Sequence, residues 1–329
     1  MKKIGVIGAG AWGTALAQNL ANSGHEVVIW AKETDVAESI NDKHENTLFL
    51  KNVPLNETIK ATNYKNAISD SDLFLIMTPA QHLRGILEDF KTVLADKPFL
   101  VGSKGIELET GSLLSDVVDE SLPDATYGFM SGPTFAAEVA RGLPCAVTLG
   151  MKNKQPGEEI VQFLGSRTLR TYLTDDVAGV QIGGAVKNVI AIACGVVEGR
   201  QLGENARCAL VTRGLAEMAR LAKAMGAEKE TLMGMCGIGD LMLTCSSMQS
   251  RNFSLGVALG QGKSLEEILA DRISVTEGVH TAKALRQMAR NNAVDMPISK
   301  AVYEVLTEGS KIEEIFENLL DRPLRRENI

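Results

Sequence analysis

A strand, a turn carrying three glycines and a helix are spelled out in residues 3–22, KIGVIGAGAWGTALAQNLAN. The apolar run Lys3 to Ile7 predicts the strand, Ala11 to Asn22 the helix, and Glu26 to Trp30 a second strand. Gly8, Gly10 and Gly13 each have a physical task in that setting: a tight turn, room for backbone to approach a pyrophosphate, and close packing of helix on strand. N–H groups at the helix start face the anion, and the helix dipole adds attraction. The three glycines alone would suit an ordinary strand–helix turn; with a strand on either side of the helix they read as a dinucleotide site.

The residue after the second strand bears on which dinucleotide. One without a 2′-phosphate is usually held there by an Asp or Glu, about 20 residues beyond the glycines. Here the strand runs out through Trp30 and Ala31 into Lys32. A lysine meets a 2′-phosphate as a point charge, so NADP is favoured over NAD. The plain alternative is a solvated lysine beside Glu33.

At 329 residues the chain exceeds one typical core and suits two domains. Its 45% hydrophobic and 23% charged residues are those of a folded, soluble protein. A formal net charge of -7 offers no basic surface for nucleic acid, so an anionic ligand has to be caught by a local pocket. The start lacks a signal-peptide pattern and no apolar run is read as long enough for a membrane span, which predicts a cytoplasmic protein. Five scattered cysteines have neither CxxC nor Cys/His spacing and predict no metal site and no disulfide framework. Cys236 and Cys245 read as small buried hydrophobes rather than as catalytic thiols.

Further strand-like runs end at Met77, Ser103, Ser131, Gly150 and Thr174, with helix-like spacers between them. The alternation predicts an α/β fold, with a doubly wound, Rossmann-like and mostly parallel sheet over residues 1–177. From Asp175 onward strand-like runs vanish and long helical stretches take over, one of them opened by Pro297. Residues 178–329 therefore read as an all-helical substrate domain.

Polar residues at strand ends are the first candidates for chemistry. Lys104 follows the run ending at Ser103, where it can meet a phosphate or carbonyl, or simply be a solvated loop lysine. In GPTFAAE, Gly132 permits close backbone approach, Pro133 fits a first helical turn and Thr134 adds a hydroxyl; a plain helix start is the competing view. In the helical part, Lys187 interrupts VQIGGAVKNVIAIACG, where burial would lower its pKa and fit it for acid–base work. Its alternative is a lysine whose head reaches water. Asp240 is placed to orient that lysine or accept a substrate hydroxyl, and Ser250, Arg251 and Asn252 offer donors for a phosphate, or else form a capped surface turn.

The segments GAGAWGTALA, GSKGIE, SGPTFAAE, GVQIGGAVKNVIAIACG, ENARCALVTRGLAEM, GIGDLMLTC and SRN occur in this order across nearly the whole chain. They closely resemble the bacterial NAD(P)-dependent glycerol-3-phosphate dehydrogenases. The resemblance implies reversible hydride transfer between NAD(P)H and dihydroxyacetone phosphate, giving sn-glycerol 3-phosphate for glycerophospholipid synthesis, and a homodimer. It implies Lys187 as proton donor and acceptor, and Lys104, Gly132, Thr134, Asp240, Ser250, Arg251 and Asn252 as substrate contacts. Cofactor contacts implied beside the three glycines are Ala11, Trp12, Lys32, Lys104, Ala136, Arg251, Val275 and Glu277. Two positions depart from the pattern: Ala11 stands where many relatives have Ser, and Phe253 follows SRN where others often have a basic residue. A β-hydroxyacid or phosphogluconate type dehydrogenase shares the two-domain plan, and a non-catalytic dinucleotide sensor would share the glycine turn.

Overall fold

Strands covered on both faces read as unbroken apolar runs, and such runs supply most of the sheet. The computed structural model describes residues 1–272, 275–321 and 323. Its strands are β1 (Lys3–Ile7), β2 (Glu26–Trp30), β3 (Lys60–Thr62), β4 (Leu73–Ile76), β5 (Phe99–Val101), β6 (Tyr127–Ser131), β7 (Cys145–Gly150) and β8 (Leu169–Thr174). They lie in one sheet in the order β3-β2-β1-β4-β5-β6-β7-β8. All neighbours are parallel except β6 and β7, whose Met130 and Leu149 pair antiparallel. The three-residue strand β3 is too short to show a pattern in sequence. Chain order reverses at β1, between β2 and β4, and the glycine turn leaves β1 at this switch point, where doubly wound sheets bind ligands.

The turn itself is fixed by backbone proximity. Gly8 has φ +113°, and a Cβ on Gly13 would lie 2.1 Å from the Gly8 carbonyl oxygen, whereas one on Gly10 would meet nothing within 4 Å. Gly8 thus turns the chain, Gly13 lets the helix pack against that turn, and Gly10 faces open space.

The chain divides into two compact units, Met1–Ser103 with Leu114–Val177, and Lys104–Leu113 with Ala178–Ile329. The sheet belongs to the first. The segment Lys104–Leu113, which the reading of the sequence left with the sheet, instead packs in the helical unit. Ile106 and Leu113 are buried in that unit's core and pair as an isolated antiparallel bridge.

At the centre of the helical unit is the helix Val177–Gly199. Contrary to the expectation that no run is long enough, its 23 residues are long and apolar enough to cross a membrane, but 94% of its apolar window is buried inside the protein. Its hydrophobicity is that of a core helix: Ala185, Val186, Val189 and Ile190 have no exposed surface. The helix Arg251–Gly260 crosses it backbone against backbone. A Cβ on Gly195 would lie 2.1 Å from the Phe253 carbonyl oxygen, and one on Gly256 2.1 Å from that of Ile192. Pro297 opens the helix Pro297–Tyr303 at its first turn, as expected.

The glycine turn makes a direct prediction. Gly13→Ala is expected to lose about 1–3 kcal/mol to overpacking and to unfold at lower temperature, while Gly10→Ala keeps the wild-type Tm; calorimetry of the two variants checks this.

Candidate active site

In the first unit, the residues around the glycine turn have the chemistry of an anion site. The helix Ala11–Asn22 starts from Gly10 with no side-chain cap and no acidic residue in its first turn, so its leading N–H groups have only an external acceptor to meet. Trp12 Nε1 and Thr78 Oγ1 are buried without a hydrogen-bond partner among the described residues. Both flank the turn: the Trp12 nitrogen lies 3.2 Å from the position of a Cβ on Gly102, and the Thr78 methyl 3.1 Å from one on Gly8. Uncapped N–H groups, orphaned polar atoms and the open space at Gly10 fit a dinucleotide. Lys32 is exposed and makes no ion pair among the described residues.

The helical unit contains a second, buried constellation. A single π-helical turn, Met235–Gly239, leads into the helix Asp240–Thr244, a local irregularity often found at functional sites. Gly183 lets it dock: a Cβ there would lie 2.3 Å from the Cys236 carbonyl oxygen. Asp240, which is 1% exposed, takes Lys187 Nζ on Oδ1 and Lys104 Nζ on Oδ2, both at 2.7 Å. Lys187 Nζ also donates to Thr244 Oγ1 at 2.8 Å. The Thr244 hydroxyl in turn donates to the Asp240 carbonyl at 2.6 Å, which leaves its lone pair for the lysine.

Electrostatics follow from this packing. Burial pushes the Lys187 ammonium down to about 8, with Asp240 pulling it up and Lys104 pushing it further down. For Asp240 burial acts to raise the carboxyl, yet the two ammonium groups outweigh it and hold it below its ordinary value. Cys245 follows Thr244, and burial pushes its thiol well up, so it is no thiolate nucleophile.

Asn188, next to Lys187, connects this cluster to the SRN segment. Its amide nitrogen donates to the Lys104 carbonyl at 3.4 Å, and its oxygen accepts from Asn252 Nδ2 at 2.9 Å. The Asn252 oxygen accepts from the Gly278 N–H at 3.0 Å. Ser250 caps the helix Arg251–Gly260 by accepting from the Phe253 N–H at 3.2 Å. The Arg251 side chain is exposed, and its guanidinium makes no hydrogen bond among the described residues.

Comparison with known proteins settles which family this is. A model of the NAD-dependent glycerol-3-phosphate dehydrogenase N-terminus matches residues 3–156, and one of the same family's C-terminus matches residues 176–317. The chain belongs to this family. A glycerol-3-phosphate dehydrogenase (NAD(P)+) of Parvibaculum lavamentivorans is 50% identical over 99% of this chain and 98% of its own, and that of Caulobacter vibrioides 49% over 99% of each. The crystal structure of glycerol-3-phosphate dehydrogenase from Coxiella burnetii superposes with a TM-score of 0.94 at 36% identity, covering 98% of this chain and 99% of that one.

Within this dehydrogenase the residues singled out from sequence fall into two groups. Gly8, Gly10, Ala11, Trp12, Gly13, Lys32, Gly132, Thr134 and Ala136 belong to the first unit; Lys104, Lys187, Asp240, Ser250, Arg251, Asn252, Val275 and Glu277 belong to the second. In the GPTFAAE stretch the structure adds one constraint and changes one reading. Gly132 is buried, and a Cβ would lie 2.7 Å from the Ala146 carbonyl oxygen, so β7 approaches it closely. Pro133 lies outside the helix, which spans Ala136–Ala140 and is capped at Phe135. Asn188 and Thr244 were not singled out, although an amide beside a lysine in an apolar helix and a hydroxyl four residues after Asp240 were visible signals.

Removing the shared carboxylate tests the cluster. Asp240→Ala leaves two ammonium groups without their common partner and is expected to cost about 3–5 kcal/mol of stability, as breaking a buried pair does; urea unfolding of the variant measures it.

Proposed function

We propose that Lys187 is the proton donor and acceptor in the reversible reduction of dihydroxyacetone phosphate to sn-glycerol 3-phosphate, the latter being the precursor that feeds glycerophospholipid synthesis. The observation that carries this reading is the partly satisfied state of the buried ammonium. Asp240 and Thr244 occupy two of its three donors, and the third bonds to no described residue. That donor is offered to the substrate oxygen.

When bound, the nicotinamide supplies or takes back the hydride. In the reducing direction Lys187 gives its proton to the oxygen on which negative charge develops; in the reverse direction neutral Lys187 removes the hydroxyl proton. Asp240 and Thr244 keep Nζ from swinging away during the transfer, and Lys104 adds positive charge beside the developing alkoxide. Arg251, with a guanidinium uncommitted to protein acceptors, holds the phosphate and so fixes which carbon is presented. Ser250, Asn252, Gly132 and Thr134 complete the substrate contacts in this reading.

The cofactor is held by the glycine turn with Ala11, Trp12 and Ala136, and by Lys104, Arg251, Val275 and Glu277. NADP is the preferred form, on the support of the exposed and unpaired Lys32. A homodimer, implied by the family resemblance, and a cytoplasmic location complete the proposal.

Lys187→Ala is expected to lower kcat by about 10²–10⁴-fold with NADPH affinity retained. Because the ammonium is the donor and its pKa lies at about 8, the wild-type reduction rate should fall as pH rises through that value, and the oxidation rate should rise. Steady-state rates in both directions across this range test the assignment, and a flat profile with near-normal kcat in the variant would remove it. Lys32→Ala should raise the KM for NADPH several-fold while sparing NADH; equal effects on both would return Lys32 to an ordinary surface role.

A further inference from the structure

Arg272 has no motif around it, but its contacts tie the helix start that contains the SRN segment to the start of the helix Glu277–Asn291. Its guanidinium donates to the Arg251 carbonyl at 2.6 Å, to the Ser254 hydroxyl at 3.1 Å and to the Thr276 hydroxyl at 3.3 Å. Arg251 and Ser254 belong to the first turn of the helix Arg251–Gly260, and Thr276 is the N-cap of the helix Glu277–Asn291. One planar fork therefore clamps both. A second tie, from the Gly278 N–H to Asn252 Oδ1, lies alongside it in the buried interior.

The two arginines divide the work. Arg272 makes three hydrogen bonds to the protein from its two terminal nitrogens, whereas the Arg251 guanidinium makes none among the described residues. They are also electrostatic neighbours: burial and then the Arg251 cation push Arg272 below its ordinary value, and burial lowers Arg251 as well, with Glu277 acting the other way. Holding two guanidinium groups together is unfavourable unless an anion relieves it, and a phosphate carries two charges suited to that task.

We propose that Arg272 is a positioning residue for phosphate recognition: it fixes the turn that presents Arg251, and its charge deepens the field into which the substrate phosphate binds. The inference rests on the reading of Arg251 as the phosphate contact. A lysine at 272 would keep the charge but not the fork.

The test compares R272Q, R272K and R251A with wild type, using dihydroxyacetone phosphate, unphosphorylated dihydroxyacetone, and inorganic phosphate as inhibitor. For R272Q the ratio of kcat/KM between the phosphorylated and unphosphorylated ketones should fall about tenfold, the size expected for lost charge-assisted hydrogen bonds. The inhibition constant of phosphate should rise in parallel, and R272K should recover part of both. If R251A shows both effects and R272Q shows neither, Arg272 has no such role, even where R272Q slows both ketones equally through damage to the fold. If R251A itself shows neither, the phosphate reading of Arg251 fails and this inference falls with it. Should R272Q not fold, R272K carries the same comparison.

Discussion

Asp240 carries one negative charge for two positive ones, and the chemistry of the helical unit depends on that inequality. A buried ammonium without a partner is too costly to keep, so Lys187 needs the carboxylate. A carboxylate devoted to Lys187 alone would hold its proton more tightly. Lys104 draws on the same group from the other oxygen, so the cluster keeps net positive charge and Lys187 settles at about 8 under burial. Burial does most to lower Lys187, and Lys104 adds to it; the proposed proton-transfer role draws on both.

Backbone contacts hold this arrangement to tolerance. Glycines allow the helix Val177–Gly199 to touch both the π-helical turn before Asp240 and the helix that begins at Arg251. Side chains larger than hydrogen at Gly183, Gly195 or Gly256 would collide with carbonyl oxygens. The glycines of this apolar helix are what allow the Lys187–Asp240 cluster and the SRN segment to be built from one core. Asn188, one residue beyond Lys187, then links them through side-chain amides.

Much of this was legible in the sequence where local chemistry decides the structure. The glycine turn, seven of the eight strands and the change to helices near residue 175 follow from apolar runs and turn residues. Lys187 stood out because a charge in an apolar helix demands an explanation. What was not legible depends on long-range packing. Nothing local to Lys104–Leu113 says that it joins the helical unit, because Ile106 and Leu113 reveal their partners only in three dimensions. Arg272 escaped notice for a similar reason: its acceptors at Arg251, Ser254 and Thr276 come from two helices and include a backbone carbonyl.

Burial and a displaced pKa do not by themselves mark a chemical group. Glu217 is 1% exposed, and burial pushes its carboxyl up to about 7. Its oxygens accept the Ile298 N–H at 2.5 Å, the Ser299 N–H at 3.1 Å and the Ser299 hydroxyl at 2.8 Å. Those donors belong to the start of the helix Pro297–Tyr303, so the carboxyl pins one helix to another and satisfies N–H groups that a helix start leaves open. Lys187 is buried to a similar degree, but two of its three donors are used and the third bonds to no described residue. This remaining hydrogen-bonding capacity is what distinguishes Lys187 from Glu217, and in the proposed role it is the donor that meets the substrate oxygen.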